Sequence, residues 1–303
     1  MDRAWDKVAG KDVDAEDLWQ IEKVDRDRYE CIDCRIPVWP ASYQPENKVR
    51  PYFRRSKDHE AWCDVEGELA LIKRAKTERL VDERGSFPGK MPNRLDLRND
   101  ATRTDPEGDL VEAGHRIHVR REGAGGTTGR SRHTTAASSI RRICRAYLNF
   151  PNNRDQPLSI DGLVGVTYAQ VVRMLETQRI IRYDTQRLRY AELAWAKPAS
   201  TEEFLEVPLS AGRRDKTGRV IEAYRVRVRW AGWSKRARTS FETDIEVSRT
   251  ESIEAKRNER LERSWLFFIG RQDADDQTLF HVEDQRLICS LSAELLFPKL
   301  VAP

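Results

Sequence analysis

The chain has 303 residues, with 54 Lys and Arg against 50 Asp and Glu, a formal net charge of +4. Hydrophobic residues make up 39% and charged residues 34%, enough for small folded cores and too charged for one large one. No apolar run approaches the roughly 20 residues that a membrane helix needs, so no membrane partner is expected. The five cysteines do not read as a disulfide framework, since three cluster near one histidine and two stand alone far downstream. With no basic-then-apolar leader at the N-terminus, a reducing cytoplasm is the expected location.

In chain order, residues 1–28 form an acidic segment, with Asp12, Asp14, Glu16, Asp17, Asp25 and Asp27, expected to be partly ordered at best. Residues 29–83 form a zinc-finger domain; within it, Leu69, Leu71, Ile72, Leu80 and Val81 predict a helix over 64–82. Residues 84–133 are expected to be a flexible basic linker, because the run 122–132 has no apolar side chain larger than alanine to offset the entropy of ordering. Residues 134–178 form a helical segment: one helix from about Ala136 to Asn149 capped by Thr134 or Thr135, then a short strand 158–160, then a helix 167–176. From about Ile180 the period changes to that of strands, expected over 187–197, 204–209, 220–230, 241–247 and 265–271, with a hairpin of 279–282 and 286–291 and a charged helix 251–263. Residues 179–303 are therefore expected to form an OB-like β-barrel, and the fold class is α+β.

The most specific motif is Cys31-x2-Cys34 followed by His59-x3-Cys63. Two thiolates three apart can meet one ion from a tight knuckle, and a His and Cys four apart can meet it from one helical turn. Four such ligands fill a tetrahedral zinc, which makes the site structural rather than catalytic. Pro37, Trp39, Pro40, Tyr43, Tyr52 and Phe53 lie between the ligand pairs and would form a small core around the metal.

Tyr29-Glu-Cys-Ile-Asp-Cys34, with Arg50-Pro-Tyr-Phe-Arg54 and His59-Glu-Ala-Trp-Cys63, resembles the N-terminal zinc finger of CoiA-like competence proteins over about residues 29–66. In that family the finger precedes a restriction-endonuclease-like domain, and the proteins handle DNA entering the cell. The resemblance implies a DNA-linked role, in DNA processing or anti-phage defence. A nuclease of that kind needs a Glu-x-Lys strand and an upstream Asp, and the chain offers Glu254 and Lys256 with Asp244 or Asp161. Glu254 and Lys256 fall in a run that reads as a helix, where residues i and i+2 do not share a face.

In 220–230, Arg225, Arg227 and Arg229 alternate with Tyr224, Val226, Val228 and Trp230, which predicts a strand with one cationic face. With Arg213, Arg214, Trp233, Arg236 and Arg238 nearby, arginines would track phosphates and flat rings would stack bases. The competing interpretation is a solvated strand face balanced by nearby acids, with Trp230 and Trp233 in the core. The expected function is a zinc-stabilised accessory protein binding single-stranded or branched nucleic acid, in company with a larger nuclease or ATPase subunit. A metal-dependent nuclease and a protein-interaction adaptor are the alternatives.

Overall fold

The computed structural model describes residues 1–44, 47, 49–80, 91–97 and 136–298. It has a mixed α+β architecture of several open sheets, none closed into a barrel. Among the described residues, no helix is long and apolar enough to cross a membrane.

The N-terminal segment is folded, contrary to the sequence expectation. Strands β1 (Arg3–Asp6), β2 (Lys11–Asp14) and β3 (Tyr29–Glu30) form a three-stranded sheet, and a 3-10 turn follows β2 at Ala15–Gln20. Its acids conceal an apolar set: Ala4, Val13, Ala15 and Leu18 share a core with Tyr29, Cys31, Val38 and Phe53. The zinc segment then supplies a hairpin of β4 (Val38–Ala41) and β5 (Tyr52–Arg55) and the helix α1 (Asp64–Thr77). Most of the expected linker lies outside the described residues. Where described it is tied down, since Met91 is buried and β6 (Arg94–Leu95) pairs in parallel with β7 (Ala136–Ala137).

That pairing takes Ala136 and Ala137 out of the predicted helix. Helix α2 runs Ile140–Asn149 with Ser139 at its N-cap, and buries Ile140, Ile143, Cys144 and Leu148 on one face. The expected helix 167–176 is one turn, α3 (Tyr168–Val171), which runs straight into β8 (Val172–Met174). The remaining strands are β9 (Leu188–Glu192), β10 (Ala199–Ser200), β11 (Phe204–Arg214) and β12 (Val220–Arg229). Helix α4 (Lys235–Arg257) is followed by β13 (Arg263–Ile269), β14 (Arg271–Gln272), β15 (Leu279–Val282) and β16 (Ile288–Ala293).

Two expectations fail here for physical reasons. Residues 241–247 are not a strand but the middle of α4, whose buried positions Ala237, Phe241, Asp244, Ile245, Ser248, Ser252 and Ala255 recur every three or four residues. Two serines and an aspartate on that stripe hid its helical period. Residues 279–282 and 286–291 do not form a hairpin: β15 pairs with β12 and β14, whereas β16 pairs with β13.

The two larger sheets have orders β10-β11-β12-β15-β14 and β16-β13-β9-β8. They pack around a core that includes Val207, Tyr224, Val226, Leu266, Phe268 and Phe280, to which α4 adds Phe241 and Ile245. Strand β13 is buried on both faces, so it reads as a continuous apolar run; Phe267 and Ile269 face a second core built with α2. The sheets meet at two places. Leu193 and Leu209 form an isolated antiparallel bridge, and β13 passes into β14 through Gly270. A Cβ at residue 270 would stand 2.8 Å from the His281 carbonyl oxygen, so only glycine lets the chain turn that corner so close to β15.

Candidate metal centre and cationic surfaces

Cys31 and Cys34 lie on the knuckle after β3, closed by the Cys31 N–H donating to the Ile36 carbonyl at 2.8 Å and by Arg35 at φ 61. His59 and Cys63 are not on a helix, as their spacing had predicted. They flank a turn in which the Cys63 N–H reaches the Glu60 carbonyl at 2.8 Å, and Cys63 is the N-cap of α1. The ligand atoms of the four residues all lie within 4.8 Å of one another.

The separations fit a tetrahedral ion. Zinc bonds of about 2.3 Å to sulfur and 2.0–2.1 Å to nitrogen require edges of about 3.8 Å between sulfurs and about 3.5 Å between sulfur and nitrogen. The observed values are 3.7 Å for Cys31 Sγ to Cys63 Sγ, and 3.3 and 3.4 Å from His59 Nδ1 to Cys34 Sγ and Cys63 Sγ. Burial pushes the Cys31 thiol up to about 12 and raises Cys63. Cys34 is also raised by burial, but the Ile36 and Glu60 N–H groups and the His59 ring outweigh this and hold it at about 7. Three thiolates this close repel one another, and a dication is the partner that lets them ionise together. The tetrad could thus hold a metal ion such as zinc, with every tetrahedral position filled by protein.

A second cluster was missed by reasoning from sequence. Arg50, between β4 and β5, donates from Nη1 to Asp244 Oδ1 at 2.7 Å and from Nε to Glu251 at 3.1 Å, both acids lying on α4. Arg141 of α2 donates to the other oxygen of Asp244 at 2.7 Å, and the Ser290 N–H reaches the same oxygen at 2.8 Å. Glu16 receives Arg145 at 2.5 Å and stands 3.5 Å from Arg50. The metal segment, the N-terminal turn, α2 and α4 therefore converge on one buried ionic hub. Nothing in the sequence marks these residues, because their partners are up to 240 positions away.

This hub also places the residues considered for nuclease chemistry. Asp244 is filled by two guanidinium groups and an N–H, Glu254 and Lys256 are on α4, and Asp161 lies in an exposed turn outside the named elements. They are not brought together.

The arginines of the predicted cationic face leave β12 outward, but acids meet them. Arg225 donates to Glu206 at 2.9 Å and to Asp276 at 2.6 Å, and Arg227 donates to Glu206 at 2.7 Å while lying 4.7 Å over the Phe204 ring. Arg229 is looser, 3.8 Å from Glu283. Arg213 pairs with Glu222 at 3.0 Å, and Arg214 donates to the carbonyls of Thr177, Ser210 and Gly218. Arg236 donates to the Trp19 carbonyl and Arg238 to those of Glu202 and Ala231. Trp230 is 2% exposed, and Trp233 packs edge-on against Phe241 with its Nε1 on the Glu283 carbonyl.

A different surface carries free groups of the same types. On the β4–β5 hairpin, Trp39 stands directly opposite Arg54, and Ala41 opposite Tyr52. Alternation sends Val38, Pro40 and Phe53 into the core and leaves Trp39 47% and Tyr52 43% exposed. Arg54 is exposed, and its guanidinium has no partner among the described residues. Comparison with protein-family models, curated proteins and solved structures found no match.

Proposed function

We propose that the chain is a zinc-stabilised accessory protein that binds single-stranded or branched nucleic acid, in DNA processing or anti-phage defence in the cytoplasm. The observation that carries this reading is the outward face of the β4–β5 hairpin. Single-strand recognition asks for exposed flat rings to stack bases and for cations free to meet phosphates. Trp39 and Arg54 face one another across the ladder and Tyr52 shares the Arg54 side of β5, on a hairpin that lies between the two pairs of metal ligands. The role proposed for zinc is to hold that face rigid.

Two features support the reading. The two open sheets adjoin at the Leu193–Leu209 bridge and at Gly270, with β12 and β15 parallel and α4 between β12 and β13 in the chain. We read that as an OB-like arrangement, and OB folds commonly serve oligonucleotides or oligosaccharides. The resemblance of 29–66 to CoiA-like fingers points to DNA as the partner, with a larger nuclease or ATPase as the subunit it assists.

The test is anisotropy with a labelled single-stranded oligonucleotide across a salt series. The expected result is binding at low salt that weakens as salt rises, and a loss of about tenfold or more in Trp39→Ala with Arg54→Gln. No binding at low salt, or full binding by that double variant, overturns the reading.

A further inference from the structure

A groove of about 380 Å³ opens beside the β8–β9 pair, and no residue of the hairpin or of the zinc tetrad lines it. That volume is within the range of ligand clefts, roughly 300–1,000 Å³. Three arginines line it. Arg173 of β8 and Arg189 of β9 are direct partners in the parallel register, so their side chains leave the same face of the pair. Arg187 precedes Arg189 by two residues and shares its side of the chain.

What separates this cluster from the arginines of β12 is that, among the described residues, none of its three guanidinium groups has an ion pair. Arg189 is only 6% exposed, yet among the described residues it has no ion pair. Its one hydrogen bond is from Nη2 to the Thr185 carbonyl at 3.0 Å, and its guanidinium lies flat on Tyr183, 3.5 Å from the ring centroid. Arg173 donates to the Ala169 carbonyl, and Arg187 donates from a single nitrogen to the Val164 and Gln170 carbonyls. Glu176 is on the groove wall, but its Oε1 accepts the N–H groups of Thr177 and Gln178. Burial, with Arg187 and Arg173 as further cations, pulls the Arg189 guanidinium down to about 10, although Tyr183 opposes this. A buried cation flanked by two more is unfavourable unless an anion completes it.

We propose that Arg173, Arg187 and Arg189 form a binding site for a terminal phosphate monoester, carried by a strand end or by a free nucleotide. The guanidinium fork matches phosphate oxygens in bidentate fashion, and a monoester brings about −1.5 to −2 charge against three cations. An internal phosphodiester carries less charge and is the poorer match. Tyr183 holds Arg189 in place from behind, leaving its free N–H groups for the ligand. The site is independent of the hairpin, so either can fail without the other.

The experiment uses the full zinc-loaded chain. Calorimetry with inorganic phosphate and with a nucleoside monophosphate reads the site alone; anisotropy with 5′-phosphorylated and 5′-hydroxyl forms of one oligonucleotide reads it on a strand. The expected result is phosphate binding in calorimetry, or a preference of about fivefold or more for the phosphorylated strand. Either signal should be lost in Arg173→Gln, which changes an exposed side chain and should keep the parent's melting temperature, and in Arg187→Gln, whose fold is checked by its circular dichroism spectrum. Competition by the nucleoside monophosphate assigns a free nucleotide as the source; response to the strand end only assigns a strand. The proposal is overturned if the parent shows neither signal, or if both glutamine variants retain it. In Trp39→Ala with Arg54→Gln, binding of inorganic phosphate should persist even if strand binding is gone.

Discussion

The β4–β5 hairpin and the β11–β12 pair both set arginine beside an aromatic ring on a strand, yet they leave these groups in opposite states. On β12, the residue across the ladder from Arg227 is Glu206, which takes both Arg227 and Arg225. On β5, the residue across from Arg54 is Trp39, and no acid intervenes among the described residues. The tryptophans diverge too. Trp230 sits where β12 ends against a large apolar core, and Trp39 sits on a hairpin whose inner face is already filled by Val38, Pro40 and Phe53. The same residue types become a surface or a scaffold according to what stands across from them and how much core lies beneath.

The two regions also differ in what holds them, and removing the metal is the strongest way to break the comparison. The core shared by the N-terminal segment and the hairpin is small and includes Cys31 and Cys63, whereas the β region shares in two larger apolar cores, one of them also holding α2 and Ala75 of α1. Structural zinc contributes on the order of 10–16 kcal/mol of apparent binding energy in small fingers. Chelation, or Cys31→Ser, should therefore unfold the hairpin and expose 1–63 to protease while the β region keeps its near-UV signal. Protection of 1–63 in a metal-free protein would falsify the structural role of the tetrad.

The next largest effect belongs to the hub that joins these regions. Removing Asp244 leaves Arg50 and Arg141 buried without their main partner, a change that typically costs about 3–5 kcal/mol. Asp244→Ala should lower the denaturation free energy by that amount. The neighbouring arginines hold the Asp244 carboxyl below its usual range against the opposing effect of burial. Its stabilisation is therefore present above about pH 4, the unfolded value, and is lost as pH falls through the lower folded value. An Asp244→Ala loss under about 1 kcal/mol would show that the hub contributes no more than an exposed pair does.

What could be read beforehand follows from the range of the interactions. The tetrad was legible because coordination forces ligands into short pairs, Cys31 with Cys34 and His59 with Cys63. Strands β11, β12 and β13 were legible from alternation or from a continuous apolar run. The hub was not legible, since Arg50 and Asp244 are 194 positions apart and look like ordinary surface charges in the sequence. Helix α4 was half-hidden for a related reason: Asp244 and Ser248 are buried because the hub satisfies them, so they broke the apolar pattern. The acidic composition of 1–28 likewise concealed Leu18 and Trp19, both buried. The neutralisation of Arg225 and Arg227 depends on Glu206, whose place across the ladder is set by register, which the strand pattern alone does not fix.

Among surface changes, the hairpin should dominate binding. Trp39→Ala is expected to weaken single-strand binding by about tenfold, within the roughly 1–3 kcal/mol of a stacked base, while Arg225→Gln and Arg227→Gln should change it less than about twofold. Glu206→Gln sharpens the contrast from the other side. It removes the one acid on Arg227 and one of the two on Arg225, which keeps Asp276, so anisotropy should show tighter binding and a steeper salt dependence, at a stability cost of about 1 kcal/mol. Unchanged affinity in Glu206→Gln would mean that the β12 row does not face the strand even when uncompensated.

The smallest effect is a pH response confined to the N-terminal region. Asp17 is pushed up to about 7 by burial, with Asp14 and Glu16 adding to this and Arg141 opposing it. Its Oδ2 accepts the Asp14 N–H at 3.3 Å, which closes the turn that carries Leu18 and Trp19 into the core. Between the unfolded value of about 4 and the folded value near 7, the folded chain binds more protons here than the unfolded chain. This contribution to stability is thus fully present below about pH 4 and declines as pH rises through 7, the opposite sign to Asp244. Partial exposure and coupling to Asp14 reduce the expected change to about 1 kcal/mol between pH 5 and 7. Asp17→Asn keeps the size and the acceptor oxygen but does not titrate. Denaturant midpoints for this variant should be flatter than the parent's across that window; equal slopes would place the proton elsewhere in the acidic cluster.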